Sequence, residues 1–385
     1  MNSEILEKII EKYNTPSYVF DINKLNKRIQ YLRNKLPKNV KLCYAIKANT
    51  FIIKEMEKNI DRFEVCSPGE YQICREKNID SNKILISGVY KTPQVIKDMI
   101  LKDGVKNYTI ESIEQFKLLK EIEKNEKINV LLRITSGNQF GINEEDAEEI
   151  VKNRENLKNM HILGIQYFSG TQKKSIKNLK RELEHVQEFI KELKEKYQYE
   201  AEEFEFGPGF PIKYFQNEEF DEEQFLNEFS NLLEQLNIKE TLILEIGRSI
   251  VAECGSYITK VVDKKTNKGQ NYAILDGGIN HIVYYGQSMA MKIPKCEIYP
   301  EREETDEKWN LCGSLCTVND ILVKQFPISN LQIGDIIIFK NTGAYCMTEG
   351  ISLFLSRELP SVLKITENNE IQQVRENLPT YKFNL

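Results

Sequence analysis

Metal-binding side chains are in short supply in this chain, which has three histidines, at 161, 185 and 281, and eight cysteines that never form a CxxC pair. Zinc and disulfide frameworks need such ligands at close, repeated spacing, so neither is expected, and most of the thiols read as reduced packing residues. Long apolar runs are missing as well. No stretch reaches the ~20 residues that span a bilayer, and the start, Met1-Asn2-Ser3-Glu4-Ile5, lacks the basic and then apolar profile of a signal peptide. A cytoplasmic protein with no membrane partner is therefore expected. Nor is there an excess of positive charge: the formal net charge is -5, with Lys and Arg dispersed, so nothing resembles a nucleic-acid footprint.

What is present is a chain of 385 residues, long enough for two domains and a large core. From Val40 to Glu245 short apolar runs alternate with longer amphipathic segments, which is the pattern of repeated βα units. The expected strands are Lys41 to Tyr44, Arg62 to Val65, Ile84 to Ser87, Asn107 to Ile110, Val130 to Ile134, Ile162 to Gln166, Phe204 to Phe206 and Leu242 to Glu245. Eight strands separated by helices predict an α/β fold with a (β/α)8 barrel over residues 22–255. The clearest helix carries Leu179, Leu183, Val186, Ile190, Leu193 and Tyr197 on one face, as an outer-ring helix should.

After about Ile250 the helical period fades. Short β-branched segments such as Tyr257 to Val262, Tyr272 to Asp276 and Ile336 to Phe339 predict a mainly β domain over 256–385. Residues 1–21, with the strand-like Tyr18-Val19-Phe20-Asp21, are assigned to it, and Lys264 to Gly269 reads as a hairpin loop.

In a parallel barrel the carboxyl ends of the strands converge on one mouth, so candidate chemistry is sought where each strand stops. The first strand runs into Tyr44-Ala45-Ile46-Lys47-Ala48-Asn49. A lysine held among small and apolar residues there has its ammonium form disfavoured, and a neutral amine condenses with aldehydes, which makes Lys47 a candidate Schiff-base lysine. Glu245 ends the eighth strand, which in a closed barrel neighbours the first. The sixth ends in Gln166-Tyr167-Phe168-Ser169-Gly170-Thr171-Gln172, with an aromatic face and hydroxyls, and the seventh in Gly207-Pro208-Gly209-Phe210, where small residues let backbone N–H groups approach an anion. Ile246-Gly247-Arg248-Ser249 adds another glycine turn beside a cation.

Tyr44 to Asn49, Gly207 to Gly209, Glu245 to Ser249, Asp276-Gly277-Gly278 and Gly343-Ala344-Tyr345, in that order, resemble the motifs of the fold-type III decarboxylases that use pyridoxal 5'-phosphate, particularly the diaminopimelate decarboxylase branch. The likeness runs from about Thr15 to Leu363. It implies an alanine-racemase-like barrel, with the β domain contributing to the interface of a homodimer with shared active sites. It also implies Lys47 in Schiff-base linkage to the cofactor and Glu245 against its pyridine nitrogen. Phe168 would lie on the ring, and Thr171, Gly207, Gly209 and Gly247 around the phosphate, with Tyr345 reaching it from the β domain. Arg248 would hold a substrate carboxylate. Cys316 matches the position from which the family delivers a proton-donating thiol across the dimer interface, with Cys312 as the neighbour that could exchange roles with it.

The chain departs from the family in four places. Phe168 stands where a histidine usually stacks on the cofactor, and Pro208 replaces the middle glycine of the phosphate turn. Thr317 stands where a glutamate would grip a distal ammonium, and Tyr284 lies in a stretch, Ile279 to Gly286, that lacks the arginine expected to clamp a distal carboxylate. Thr317, Tyr284 and Arg248 are the expected substrate contacts. The expected reaction is α-decarboxylation of a small-molecule L-amino acid or an aminoacyl group, free or bound to a carrier protein, other than diaminopimelate. The variants around Phe168, Pro208 and Thr317 resemble those of carrier-protein aminoacyl decarboxylases. The alternatives are a true diaminopimelate decarboxylase, an amino-acid racemase of the same fold, and a non-catalytic cofactor-binding relative.

Overall fold

The computed structural model describes residues 3–122, 126–303 and 305–385. Met1 and Asn2, which fall in the N-terminal part assigned to the β domain, lie outside them. The chain folds as two compact units, one comprising Arg28–Pro211 and Asp221–Ile250, the other Met1–Lys27, Ile212–Phe220 and Val251–Leu385. Residues 212–220 thus group with the β unit, although they fall inside the stretch assigned to the barrel from sequence.

The first strand, β1 (Ser17–Asp21), belongs to the β unit, and the next eight form the barrel. They are β2 (Lys41–Ala45), β3 (Arg62–Val65), β4 (Ile84–Ile86), β5 (Asn107–Ile110), β6 (Ile128–Ile134), β7 (Met160–Phe168), β8 (Glu203–Gly207) and β9 (Thr241–Ile246). Each pairs parallel with its neighbour, and β9 closes on β2 with Cys43 opposite Glu245. All eight strands expected from sequence are there. Strands covered on both faces need apolar side chains at nearly every position, and Leu42, Tyr44, Phe63, Val130, Leu132, Phe204 and Leu244 are each fully buried.

The helix Ile176–Tyr197 begins at Ser175, whose hydroxyl accepts from the Asn178 N–H, and ends at Gln198 in a left-handed conformation (φ 53°). It buries Leu179, Leu183, Val186, Phe189, Ile190 and Leu193. Each such side chain removed from water stabilises the unit by about 2 kcal/mol.

The β unit contains β10 (Gly255–Asn267), β11 (Gln270–Leu275), β12 (Cys296–Tyr299), β13 (Lys308–Cys312), β14 (Ile321–Pro327), β15 (Ile336–Lys340), β16 (Ser361–Ile365) and β17 (Ile371–Arg375). They form one sheet in the order β14-β13-β11-β10-β1-β16-β17, with β15 bridging β10 and β12. One expectation is corrected. The charged run from Lys264 continues β10 as far as Asn267, and only Lys268 and Gly269, both with positive φ, make the turn into β11. Alternating charged residues can extend an exposed hairpin without a loop, because ladder hydrogen bonds do not depend on side-chain polarity.

Ahead of β1 this unit also holds a helix, Ser3–Tyr13, that was not singled out from sequence. Its Leu6 and Ile9 enter the core made by Val19, Ile258, Ile336, Ile338, Leu363 and Ile365, with Ile5, Ile10 and Tyr13 packed around it. That 3–4 residue spacing is helical, and the neighbouring strand masks it from a composition-based reading.

Candidate active site

Lys47 stands in a 3-10 turn, Ile46–Ala48, that follows β2 directly. The motif around it is a self-contained clamp. The Asn49 N–H donates to the Ile46 carbonyl (3.0 Å), the Asn49 side-chain oxygen accepts from the Phe51 N–H (2.9 Å), and the Tyr44 hydroxyl donates to the Asn49 carbonyl (3.0 Å). Ile46 and Ala48 are buried on either side, so the turn can point only Lys47 outward from the strand end, with its side chain 41% exposed.

Its nearest partner went unnoticed in the sequence. Lys47 Nζ lies 2.6 Å from Glu64 Oε2 on the adjacent β3 and 3.8 Å from Glu245 Oε1 on β9. Cys66, two residues after Glu64, donates its thiol to Glu64 Oε1 (3.2 Å) and sits 3.6 Å from Lys47 Nζ. Burial acts against the Glu64 charge, but the Lys47 ammonium and the hydrogen bond from it win and hold this carboxyl at about 2. Glu245 goes the other way. Burial raises it, the Glu64 and Glu205 carboxyls add to the rise, and Lys47 and Arg133 only partly offset it, so it is pushed up to about 8.

Below this mouth the barrel interior is polar. Gln166, fully buried on β7, donates to Glu205 Oε1 (2.8 Å) and to Glu245 Oε2 (3.0 Å). Glu205 is paired with Arg62 (2.9 Å), which also reaches Glu203 (2.9 Å). Arg133 on β6 is bound to Glu111 (2.9 Å) and lies against the Phe140 ring. Lys91 is buried among the Gly88 carbonyl, Thr109 and Gln115, and burial brings its ammonium down to about 8.

None of these was singled out from sequence. A signal was available all the same, since a charged or amide residue inside an otherwise apolar strand, as in Arg62-Phe63-Glu64-Val65 or Phe204-Glu205-Phe206, is costly unless it is paired.

The glycines of the β8 turn are required by their surroundings. A Cβ on Gly207 would meet the Phe168 ring at 2.3 Å, and one on Gly209, where φ is +59°, would meet the Gly170 carbonyl at 2.1 Å. The β7 and β8 ends therefore close on each other, with Phe168 lying over the second. Lys173, bound to Glu182 (2.6 Å), lies 6.0 Å from the Phe168 ring centre, and its N–H donates to the Gly209 carbonyl. Thr171 accepts from Arg248 Nε (3.4 Å), and Arg248 is buried in the turn after Gly247. The barrel unit thus brings Lys47, Phe168, Thr171, Gly207, Gly209, Glu245, Gly247 and Arg248 to the carboxyl ends of β2, β7, β8 and β9.

Five sequence candidates belong to the β unit. Cys316 is exposed in a tight turn held by Asp320, whose carboxylate accepts from the Leu315 and Ile279 N–H groups (2.7 and 2.8 Å). Thr317 is half-buried in the same turn, and its carbonyl accepts from the Asp320 N–H. Cys312 is partly covered, and burial pushes its thiol up to about 11. Tyr345, at φ 63°, is half-buried. Tyr284 is the buried one of the five. It is buried against Tyr214 and Phe215, and its hydroxyl donates to the Lys340 carbonyl (2.6 Å), so the ring packs the β unit.

The family model described as the pyridoxal binding domain of pyridoxal-dependent decarboxylases matches residues 22–252, more than half of the chain. A relative from Staphylococcus aureus, 2-[(L-alanin-3-ylcarbamoyl)methyl]-2-hydroxybutanedioate decarboxylase, is 27% identical over 95% of this chain and 99% of its own length. The L-glutamyl-[BtrI acyl-carrier protein] decarboxylase of Niallia circulans is 25% identical over 94% of this chain and 90% of its own. Among solved structures, Helicobacter pylori diaminopimelate decarboxylase complexed with L-lysine superposes with a TM-score of 0.85 at 22% identity, covering 98% of each chain. No helix among the described residues is long and apolar enough to cross a membrane.

Proposed function

Because this chain belongs to the pyridoxal-dependent decarboxylase family, we propose that it removes the α-carboxylate of an L-amino acid whose far end is extended through an acyl or amide link, acting as a homodimer. The donor set suits pyridoxal phosphate: a primary amine at a strand end, a buried carboxyl 3.8 Å from it, and a turn whose glycines leave room that a Cβ would fill. When bound, the cofactor supplies a sink for the electron pair left at Cα as carbon dioxide departs. The observation that carries the reading is the placement of Lys47 beside Glu64 and Glu245 at the barrel mouth.

Each residue has a distinct task in this reading. Lys47 provides the amine for the cofactor aldehyde, and Glu64, ionised through the neutral range, holds that amine in place. Glu245 faces the ring nitrogen. Phe168 covers the ring and excludes water, but a phenyl group carries no proton. Gly207, Gly209, Gly247 and Thr171 receive the phosphate. Arg248 binds the substrate carboxylate.

Cys316 of one subunit returns a proton to Cα in the site of the other. Its exposed position supports this, as does the neighbouring Val318, which is 90% exposed, an arrangement suited to burial against a second subunit. Proton delivery from one fixed face gives decarboxylation without racemisation.

The substrate class rests on Thr317 and on the stretch Ile279 to Gly286, which offers no arginine. A far-end ammonium and carboxylate would be buried there without charged partners, at a cost on the order of several kcal/mol. Two relatives are named for substrates that extend an L-amino acid head through an acyl or carbamoyl link, which supports the same class.

The test is carbon dioxide release from free L-amino acids, side-chain-acylated L-amino acids and carrier-bound aminoacyl groups, with meso-diaminopimelate as the reference. Turnover fastest on an extended substrate is expected. Fastest turnover on meso-diaminopimelate would overturn the substrate class, and an inverted enantiomer without carbon dioxide would overturn the reaction.

A further inference from the structure

Glu245 has a difficult position for a carboxyl that must face a protonated ring nitrogen. The charged and titratable groups packed around it come from every nearby strand: Cys43 and Lys47 from β2 and its turn, Glu64 and Arg62 from β3, Arg133 from β6 and Glu205 from β8. Most of the cations are committed elsewhere. Lys47 is bound to Glu64, Arg133 to Glu111, and Arg62 is shared by Glu203 and Glu205. Glu64 and Glu205 both favour a proton on Glu245. A carboxyl that keeps its proton leaves a facing pyridine nitrogen neutral, and a neutral ring is a poorer electron sink.

One neutral side chain stands between Glu205 and Glu245, whose nearest lysine, Lys47, lies 3.8 Å from Glu245 but 2.6 Å from Glu64. The Gln166 amide turns both its hydrogens to them, 2.8 Å from Glu205 and 3.0 Å from Glu245, while its own carbonyl oxygen is buried with no hydrogen-bond partner. Leaving an acceptor unmet is unfavourable. The opposite amide orientation would set that oxygen against two carboxylates, so the one adopted is suited to both carboxyls being ionised.

We propose that Gln166 is a positioning residue that keeps Glu245 ionised, so that the shared proton rests on the cofactor's ring nitrogen and not on the carboxyl. This rests on the assignment of Glu245 to the ring nitrogen made above. By donating to Glu245 Oε2 the amide stabilises the carboxylate and leaves Oε1 for the ring. By donating to Glu205 as well, whose other oxygen is already paired with Arg62, it lessens the repulsion of Glu245 by that carboxylate. The proton balance is simple: the N–H bond of the ring is kept, the O–H bond of Glu245 is not formed, and nothing is oxidised or reduced.

The test uses the holoenzyme loaded with pyridoxal phosphate labelled with nitrogen-15 in the ring, whose chemical shift reports the protonation of that nitrogen independently of turnover. The wild-type protein should hold the ring nitrogen protonated at pH 7. Gln166→Met, which keeps the bulk and removes both donors, should shift the proton equilibrium toward Glu245 by about tenfold, the usual weight of a hydrogen bond to a charged group. Gln166→Glu, which puts a third carboxyl there, should shift it further the same way.

Gln166→Asn keeps the amide but shortens its reach, and covers the case in which the methionine variant does not retain cofactor; a smaller shift in the same direction is expected. Ring-nitrogen protonation that is unchanged in these variants but lost in Glu245→Gln overturns the role of Gln166 alone. Protonation that survives Glu245→Gln overturns the placement of Glu245 and the inference with it.

Discussion

Lys47 and Glu64 form an ion pair at 2.6 Å across adjacent parallel strands, with the carboxylate buried and the ammonium at the open mouth. The pairing has a price for cofactor uptake, because the carboxylate favours the ammonium, and only the neutral amine attacks an aldehyde. Glu64→Gln is therefore expected to load pyridoxal phosphate about tenfold faster than wild type at pH 7, in a stopped-flow absorbance measurement on cofactor-free protein. Slower loading would show that Glu64 orients the amine more than it holds its charge. Lys47→Ala should carry no covalently bound cofactor in either background.

The raised Glu245 makes the cofactor-free protein less stable as pH rises from the mildly acidic to the slightly basic range. Between the ordinary carboxyl value of 4.5 and about 8, the folded state holds a proton that the unfolded state has released. Stability must then fall as pH rises through that window, by up to a few kcal/mol. His281 acts on the acid side. Burial lowers it to about 4, and between there and its ordinary 6.5 the unfolded state binds the extra proton, so stability falls as pH drops. The two windows overlap between 4.5 and 6.5, where the slopes oppose, so denaturant unfolding should show a net fall from pH 6.5 to 8; Glu245→Gln should flatten that fall and uncover the His281 rise between about 4 and 6.5.

Gly209 is expected to tolerate no side chain. Alanine there would pay the left-handed penalty of roughly 1–2 kcal/mol and would meet the Gly170 carbonyl at 2.1 Å, forcing the β7 and β8 ends apart. Gly209→Ala should weaken pyridoxal phosphate binding at least tenfold, measured by equilibrium dialysis, with a smaller effect on pyridoxal lacking the phosphate. Equal loss for both ligands would place the damage at the ring and not at the phosphate.

The two thiols near the Asp320 turn can be told apart by exposure. Cys316 is exposed, whereas Cys312 is partly buried with its thiol pushed up to about 11. A maleimide reagent should label Cys316 first in the dissociated chain, and dimer formation should protect it. Cys316→Ala should lower carbon dioxide release by two to four orders of magnitude, the usual weight of a positioned proton donor. Cys312→Ala should leave the rate within a few-fold.

Much of the fold was legible because burial on both faces of a parallel strand demands long apolar runs, and eight of them separated by amphipathic helices leave few alternatives. The helix at Ser3–Tyr13 was missed because five apolar residues within eleven, beside a genuine strand, carry too weak a period to outvote their neighbour. The extent of β10 was missed because charged side chains were read as a loop when they only face water.

At the site, Lys47, Glu245 and the glycines were legible because each sits where a strand must end. The turn around Lys47 is closed locally by Tyr44 and Asn49, so much of its shape is set within a few residues of sequence. The partners of Lys47 and Glu245 are another matter. Glu64 and Arg62 come from β3, Gln166 from β7 and Glu205 from β8, and only the barrel, which sets Cys43 opposite Glu245 and Gln166 opposite Glu205, brings these side chains together. Charge state there depends on distance and burial, quantities that spacing along a chain does not carry. The sequence by itself thus determined the barrel, the cofactor family and the place of Lys47 at a strand end, and tertiary structure alone decided which carboxyl keeps its charge.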